Sequence, residues 1–145
     1  MNNIRYLSLD EAKETYFKTI KHSGGGAAGY LNIEQLDSVL CHIQNDEYYP
    51  TFIDKITHLF FSACKFHCFQ DGNKRIAITL SAEFLLRNGY MAIAPTFFSR
   101  MENISYHVAS GKIDCDLTKK IMQAIFNNTF DEDESLKLEI YNAIS

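Results

Sequence analysis

Proline is scarce in this chain, with only Pro50 and Pro95 in 145 residues. Strand-type alternation is scarce too, so little interrupts helical periodicity. No apolar run approaches the ~20 residues that a membrane span needs, which argues against a transmembrane helix. A secretory leader pattern is missing, because Asp10, Glu11, Lys13 and Glu14 break any early apolar stretch. Positive charge is in deficit, with 14 Lys and Arg against 18 Asp and Glu and a formal net charge of −4. No general basic field therefore draws nucleic acid, and direct nucleic-acid binding is not expected. The four cysteines, Cys41, Cys64, Cys68 and Cys115, are too few for a disulfide framework. They fit a reduced, cytoplasmic protein with partly buried thiols. With 46% hydrophobic residues, the chain is long enough to bury a substantial core unaided.

What is present is a succession of helical patterns, and the expected class is all-α. Ser8 with Glu11 is a capping-box signature, and the "SGGG" run from Ser23 ends the helix it opens. Asn32 and Gln35 can cap a second helix carrying Leu36, Val39, Leu40 and Ile43. "NDEYYP" is a polar, aromatic connector or a short β-hairpin flap. A third helix is predicted over 51–66, with Ile53, Ile56, Leu59, Phe60 and Ala63 inward and Asp54, His58, Ser62 and Lys65 outward. The fourth, over 73–88, is apolar nearly all round, and its polar exceptions recur four apart at Arg75, Thr79, Glu83 and Arg87. So narrow a stripe predicts the central, most buried helix, stopped by Asn88-Gly89. "YMAI" is a candidate short strand. Thr96 is expected to cap a helix that Gly111 ends, Asp116 to open the next, and Asp131 with Glu134 to cap the last.

One stretch stands apart. "HCFQDGNKR", from His67 to Arg75, puts a cluster of polar residues between the two most apolar helices. The unpaired first amides of the fourth helix, with the positive end of its dipole, make an anion site. Gly72 lets backbone approach a ligand closely. Asn73, Lys74 and Arg75 add donors suited to phosphate oxygens. Asp71 is out of place among phosphates unless it holds a divalent cation, as Mg²⁺ is held by a carboxylate plus substrate phosphates. His67 is the natural proton acceptor. Base, metal ligand and phosphate donors on one loop suit transfer of a phosphorus group to a hydroxyl.

The motif resembles the signature of the Fic/Doc family. The Fic branch reads His-Pro-Phe-x-Asp-Gly-Asn-Gly-Arg, with a further Arg three residues on. His67, Phe69, Asp71, Gly72, Asn73 and Arg75 match. Cys68 replaces Pro, Lys74 replaces the second Gly, and Ile78 stands at the further Arg. The last two differences mark the Doc, or death-on-curing, toxin branch. "YLSLDEA", "HSGGGAAG", "FLLRNGY" and "ASGKID" are also similar to Doc, so the likeness runs from about Tyr6 to Gln123. The resemblance implies a compact Fic/Doc-like helical bundle around a central buried helix. It implies His67 as general base, Asp71 as Mg²⁺ ligand, and Gly72, Asn73, Lys74 and Arg75 as the cradle for the phosphates of ATP or another nucleoside triphosphate. It further implies phosphoryl transfer to a hydroxyl of a translation factor such as elongation factor Tu, with an antitoxin protein as partner. Fic-type adenylyl transfer (AMPylation) and a nucleotide- or partner-binding module without turnover are the alternatives.

Other readings of the same residues stay open at this point. Asp71 can simply cap the fourth helix. Cys64, His67 and Cys68 have a spacing that could ligate zinc, although this leaves "DGNKR" unexplained. The chain divides into a Fic/Doc-like domain at 1–128 and an acidic helical extension at 129–145. In that extension Ser135 and Glu139 supply part of the Ser/Thr-x₃-Glu pattern of inhibitory helices in some Fic proteins.

Overall fold

A computed structural model of the chain describes residues 3–22, 33–65 and 73–145, with the side chains of residues 20–22, 73 and 74 outside that description. Seven α-helices follow in order among these residues: α1 Leu9–His22, α2 Ile33–His42, α3 Phe52–Lys65, α4 Asn73–Arg87, α5 Ala94–Ala109, α6 Cys115–Phe126 and α7 Glu134–Ile144, with a 3-10 turn at Phe130–Glu132. The described residues contain no strand, so the fold is all-α, and no helix is long and apolar enough to cross a membrane.

Helix ends follow local chemistry closely. Ser8 N donates to Glu11 Oε1 at 2.9 Å and Glu11 N donates to Ser8 Oγ at 3.1 Å, a closed capping box. The end of α4 is a Schellman turn, with Gly89 N to Leu86 O at 3.1 Å and Tyr90 N to Leu85 O at 3.0 Å. That turn requires the left-handed φ of +90° at Gly89. Gly111 after α5 and Asn128 after α6 repeat the device at φ 84° and 58°. Asn88 adds a tie across the chain: its side chain accepts from Arg5 N at 2.9 Å and donates to Arg5 O at 3.0 Å, fixing the N-terminal segment to the end of α4.

Several predicted boundaries move. "YMAI" is a turn, because the Schellman reversal delivers the chain directly into α5. That helix starts at Ala94 with Pro95 in its first turn, so Thr96 is a helix interior residue and no side chain caps the start. Asp114 caps α6 by accepting from Leu117 N, and Asp133 caps α7 by accepting from Leu136 N. "NDEYYP" holds turns and no hairpin strand: Asn45 Oδ1 accepts from Glu47 N at 2.9 Å and shapes the reversal.

The centre is shared by two helices. α4 packs on α1, α3 and α5, while α3 packs on α2, α4, α5 and α6. α4 is buried as its pattern requires, through Ile76, Ala77, Ile78, Leu80, Ala82, Phe84 and Leu85. α3 buries more than its apolar face, since Lys55, Thr57 and Ser62 are inside as well. Lys55 is fully buried, and its Nζ donates to Ile43 O and Asp46 Oδ1, each at 2.7 Å. The ammonium thus satisfies a carbonyl left open at the end of α2, and the stem fills core. Phe52 stacks on Phe84 at 4.8 Å and Tyr90 at 4.9 Å and meets Phe126 at 5.9 Å. This aromatic group anchors the C-terminal end of α4 and leaves its N-terminal end to the site.

Candidate phosphate-binding site

The polar motif straddles the start of α4. His67, Asp71 and Gly72 lie outside the described residues, as do Phe69 and Cys68. Asn73, Lys74 and Arg75 form the first turn of α4, so their amides are among those without intrahelical partners. That turn carries no acidic residue, which leaves the positive end of the dipole without a local counter-charge from the helix itself. Arg75 is exposed, and no ion pair or side-chain hydrogen bond of its guanidinium is present among the described residues.

Arg75 also opens onto a cleft of about 620 Å³ between α1 and α4. The α4 wall is the predicted stripe of Arg75, Thr79, Glu83 and Arg87, and the α1 wall is Glu11, Glu14, Thr15, Lys18 and Thr19. Sequence periodicity found the first wall as the polar stripe of α4. It missed the second, because the α1 residues have the composition of any solvated helix face. The clue in α1 is the Glu11–Thr15–Thr19 row, which recurs at the same four-residue spacing as the α4 stripe.

The cleft has one closed end. Arg87 donates to Glu83 Oε2 through Nε at 3.1 Å and through an Nη at 2.9 Å. The same nitrogen lies 2.9 Å from Glu11 Oε2. Thr15 Oγ1 donates to Glu83 Oε1. Glu11 with Arg87, then Thr15 with Glu83, are successive rungs of two antiparallel helices. The Ser8 amide at the capping box, opposed by partial burial and aided by Arg87, holds the Glu11 carboxyl below its usual range. Glu83 and Glu11 together hold the Arg87 guanidinium above its ordinary value, against some desolvation. Toward Arg75, Lys18 and Glu14 pair at 3.4 Å on the rim, each 69% exposed.

The competing features resolve differently. Cys64 is buried in α3, His67 and Cys68 lie outside the described residues, and no group of three His, Cys, Asp or Glu among the described residues could hold a metal. Glu139 is engaged with Lys120 of α6 at 3.2 Å, so the half-motif in α7 faces its neighbour helix. Ile78, at the place of the further Fic arginine, is 8% exposed and belongs to the core.

Residues 6–85 match the family described as the Fic/DOC family. The chain belongs to the Fic/Doc family. The matched span covers more than half of the chain and runs from the segment before α1 to near the end of α4, so it includes the whole motif and every named wall residue of the cleft except Arg87. No curated protein matches the chain. Fic/Doc members are generally protein-modifying transferases and typically use a nucleoside triphosphate with Mg²⁺.

Proposed function

We propose that this Fic/Doc protein is a Doc-like phosphotransferase. A hydroxyl of a target protein attacks the γ-phosphorus of ATP or another nucleoside triphosphate. The bond from that phosphorus to the β–γ bridging oxygen breaks, the nucleoside diphosphate leaves, and His67 takes the hydroxyl proton. Gly72, Asn73, Lys74 and Arg75 cradle the phosphates through first-turn amides and cationic side chains. The observation that carries this reading is the start of α4: an acid-free first turn whose Arg75 has no described ion pair. A lone carboxylate such as Asp71 beside nucleotide phosphates is a donor set that fits Mg²⁺, and other clusters are not required. When bound, that ion would neutralise developing phosphate charge.

The phosphotransfer reading is favoured over adenylyl transfer by position 78. A buried Ile78 supplies no charge there, and Lys74 adds charge and bulk where the Fic motif has glycine. By family analogy the target is a translation factor such as elongation factor Tu, a small antitoxin protein covers the site, and the setting is cytoplasmic. Residues 1–128 form the catalytic domain in this reading, with 129–145 as an extension. Incubation with ATP labelled separately at the α- and γ-positions tests it. γ-label on a protein acceptor is expected, lost in His67→Ala. α-label would replace the proposal with adenylyl transfer, and label retained by His67→Ala would remove His67 as the base.

A further inference from the structure

The geometry points to the α1–α4 cleft as the seat of an extended segment of the acceptor protein, read by charge. This rests on the transferase reading above and adds to it where the acceptor lies and what sequence it carries. The cleft begins at Arg75, beside the proposed phosphate cradle, and ends at the Glu83–Arg87 clasp. Twelve helical residues separate those ends, about 18 Å at 1.5 Å each. About six residues of extended chain span the same length. Every lining residue carries a hydroxyl or a charge, of both signs, above methylene stems, a mixed surface that suits a peptide better than a purely apolar small molecule. Thr79 spends its hydroxyl hydrogen on Arg75 O at 2.9 Å, so it faces the cleft as an acceptor for peptide amides.

The rim supplies the code. Lys18 and Glu14 are joined only by an exposed i,i+4 pair, so separating them costs little. Because α1 runs antiparallel to α4, Lys18 lies nearer the Arg75 end than Glu14 does. The two are one helical turn apart, about 6 Å along the axis. In an extended chain, side chains two residues apart share a face and lie about 6.6 Å apart. The match sets a register: the acceptor hydroxyl at the Arg75 end, an acidic residue two positions away opposite Lys18, and a basic residue two further opposite Glu14.

Synthetic peptides of about ten residues with one threonine test this. One set reads Thr-x-Glu-x-Lys and the other Thr-x-Lys-x-Glu, each also in the reversed chain direction. The wild-type chain should show a roughly fivefold lower KM for the Glu-then-Lys order in one chain direction, from two rim charge pairs. The double variant Glu14→Lys with Lys18→Glu should prefer the opposite order, with its KM for ATP unchanged. Equal use of both orders by the wild type, or the same preference in both proteins, overturns the inference. So does refusal of every peptide by a wild-type chain that still labels a folded protein. A wild-type chain that labels no protein at all removes the transferase reading, and this inference with it.

Discussion

Replacing Lys55 isolates what a buried charge contributes to this fold. In Lys55→Met the apolar stem remains and the ammonium goes. Two hydrogen bonds at 2.7 Å are lost, one to Ile43 O and one to Asp46 Oδ1. The Asp46 side chain is 80% exposed and returns to water at little cost. Ile43 is wholly buried, so its carbonyl bears the penalty of losing a charged donor, about 1–3 kcal/mol. Lys55→Ala also removes packed methylenes at about 0.8 kcal/mol each, and its total cost should reach about 3–5 kcal/mol. Urea denaturation at neutral pH measures both, read as a shift in midpoint with an unchanged slope. For a chain of this size 2 kcal/mol also lowers Tm by about 4–8 °C. A Lys55→Met protein as stable as wild type would refute the reasoning, because it would mean that the ammonium merely recovers its own desolvation. Equal losses in the two variants would show that the stem is idle.

Three further outcomes follow from particular sites. Burial pushes the Asp54 carboxyl up, but Lys119 and Thr51 outweigh it and hold the group below its ordinary value of 3.8. Its stabilising contribution is therefore complete above that value and lost as pH falls through the lower folded-state value; Asp54→Asn should flatten acid unfolding there. His58, stacked on Tyr49 at 4.6 Å, is held below 6.5 by burial and then by His42. It contributes full stability above pH 6.5 and less as pH falls below it, so His58→Phe should reduce the loss between pH 6.5 and 5. Gly89→Ala meets open space but a φ of +90°, and should cost about 1–2 kcal/mol by thermal unfolding. No measurable change would show that the turn relaxes to another geometry.

Much of the fold was legible because helix ends are local. Ser8 with Glu11, Asn88-Gly89 and Gly111 all carry their own stop or start signals, and all act in the structure as read. The misplaced elements needed partners that the sequence does not display. "YMAI" has strand-like composition, yet the turn at Gly89 leaves it no neighbouring chain to pair with among the described residues. Thr96 has the chemistry of a cap, but Pro95 before it is at home in a first turn, and the helix starts at Ala94. Lys55 defied its residue type because the acceptor it serves, Ile43 O, lies just past the end of α2, twelve residues away in sequence. At the site, the place of Asn73, Lys74 and Arg75 at the head of α4 was readable from residue order alone. The facing wall of α1 was not, since which face of an acidic helix meets a given partner is a tertiary fact.

The clasp at Arg87 has a mechanical meaning. The salt links described between α1 and α4 lie at the Arg87 end, so a tilt of one helix against the other would pivot there. A swing of about 5° around Arg87 would carry the far end of the cleft, ~18 Å away, through roughly 1.6 Å. Motion would thus be smallest where the salt links are and largest beside Arg75. Small adjustments of α1 would widen or narrow the gap at the head of α4 while the aromatic anchor at its tail stayed still.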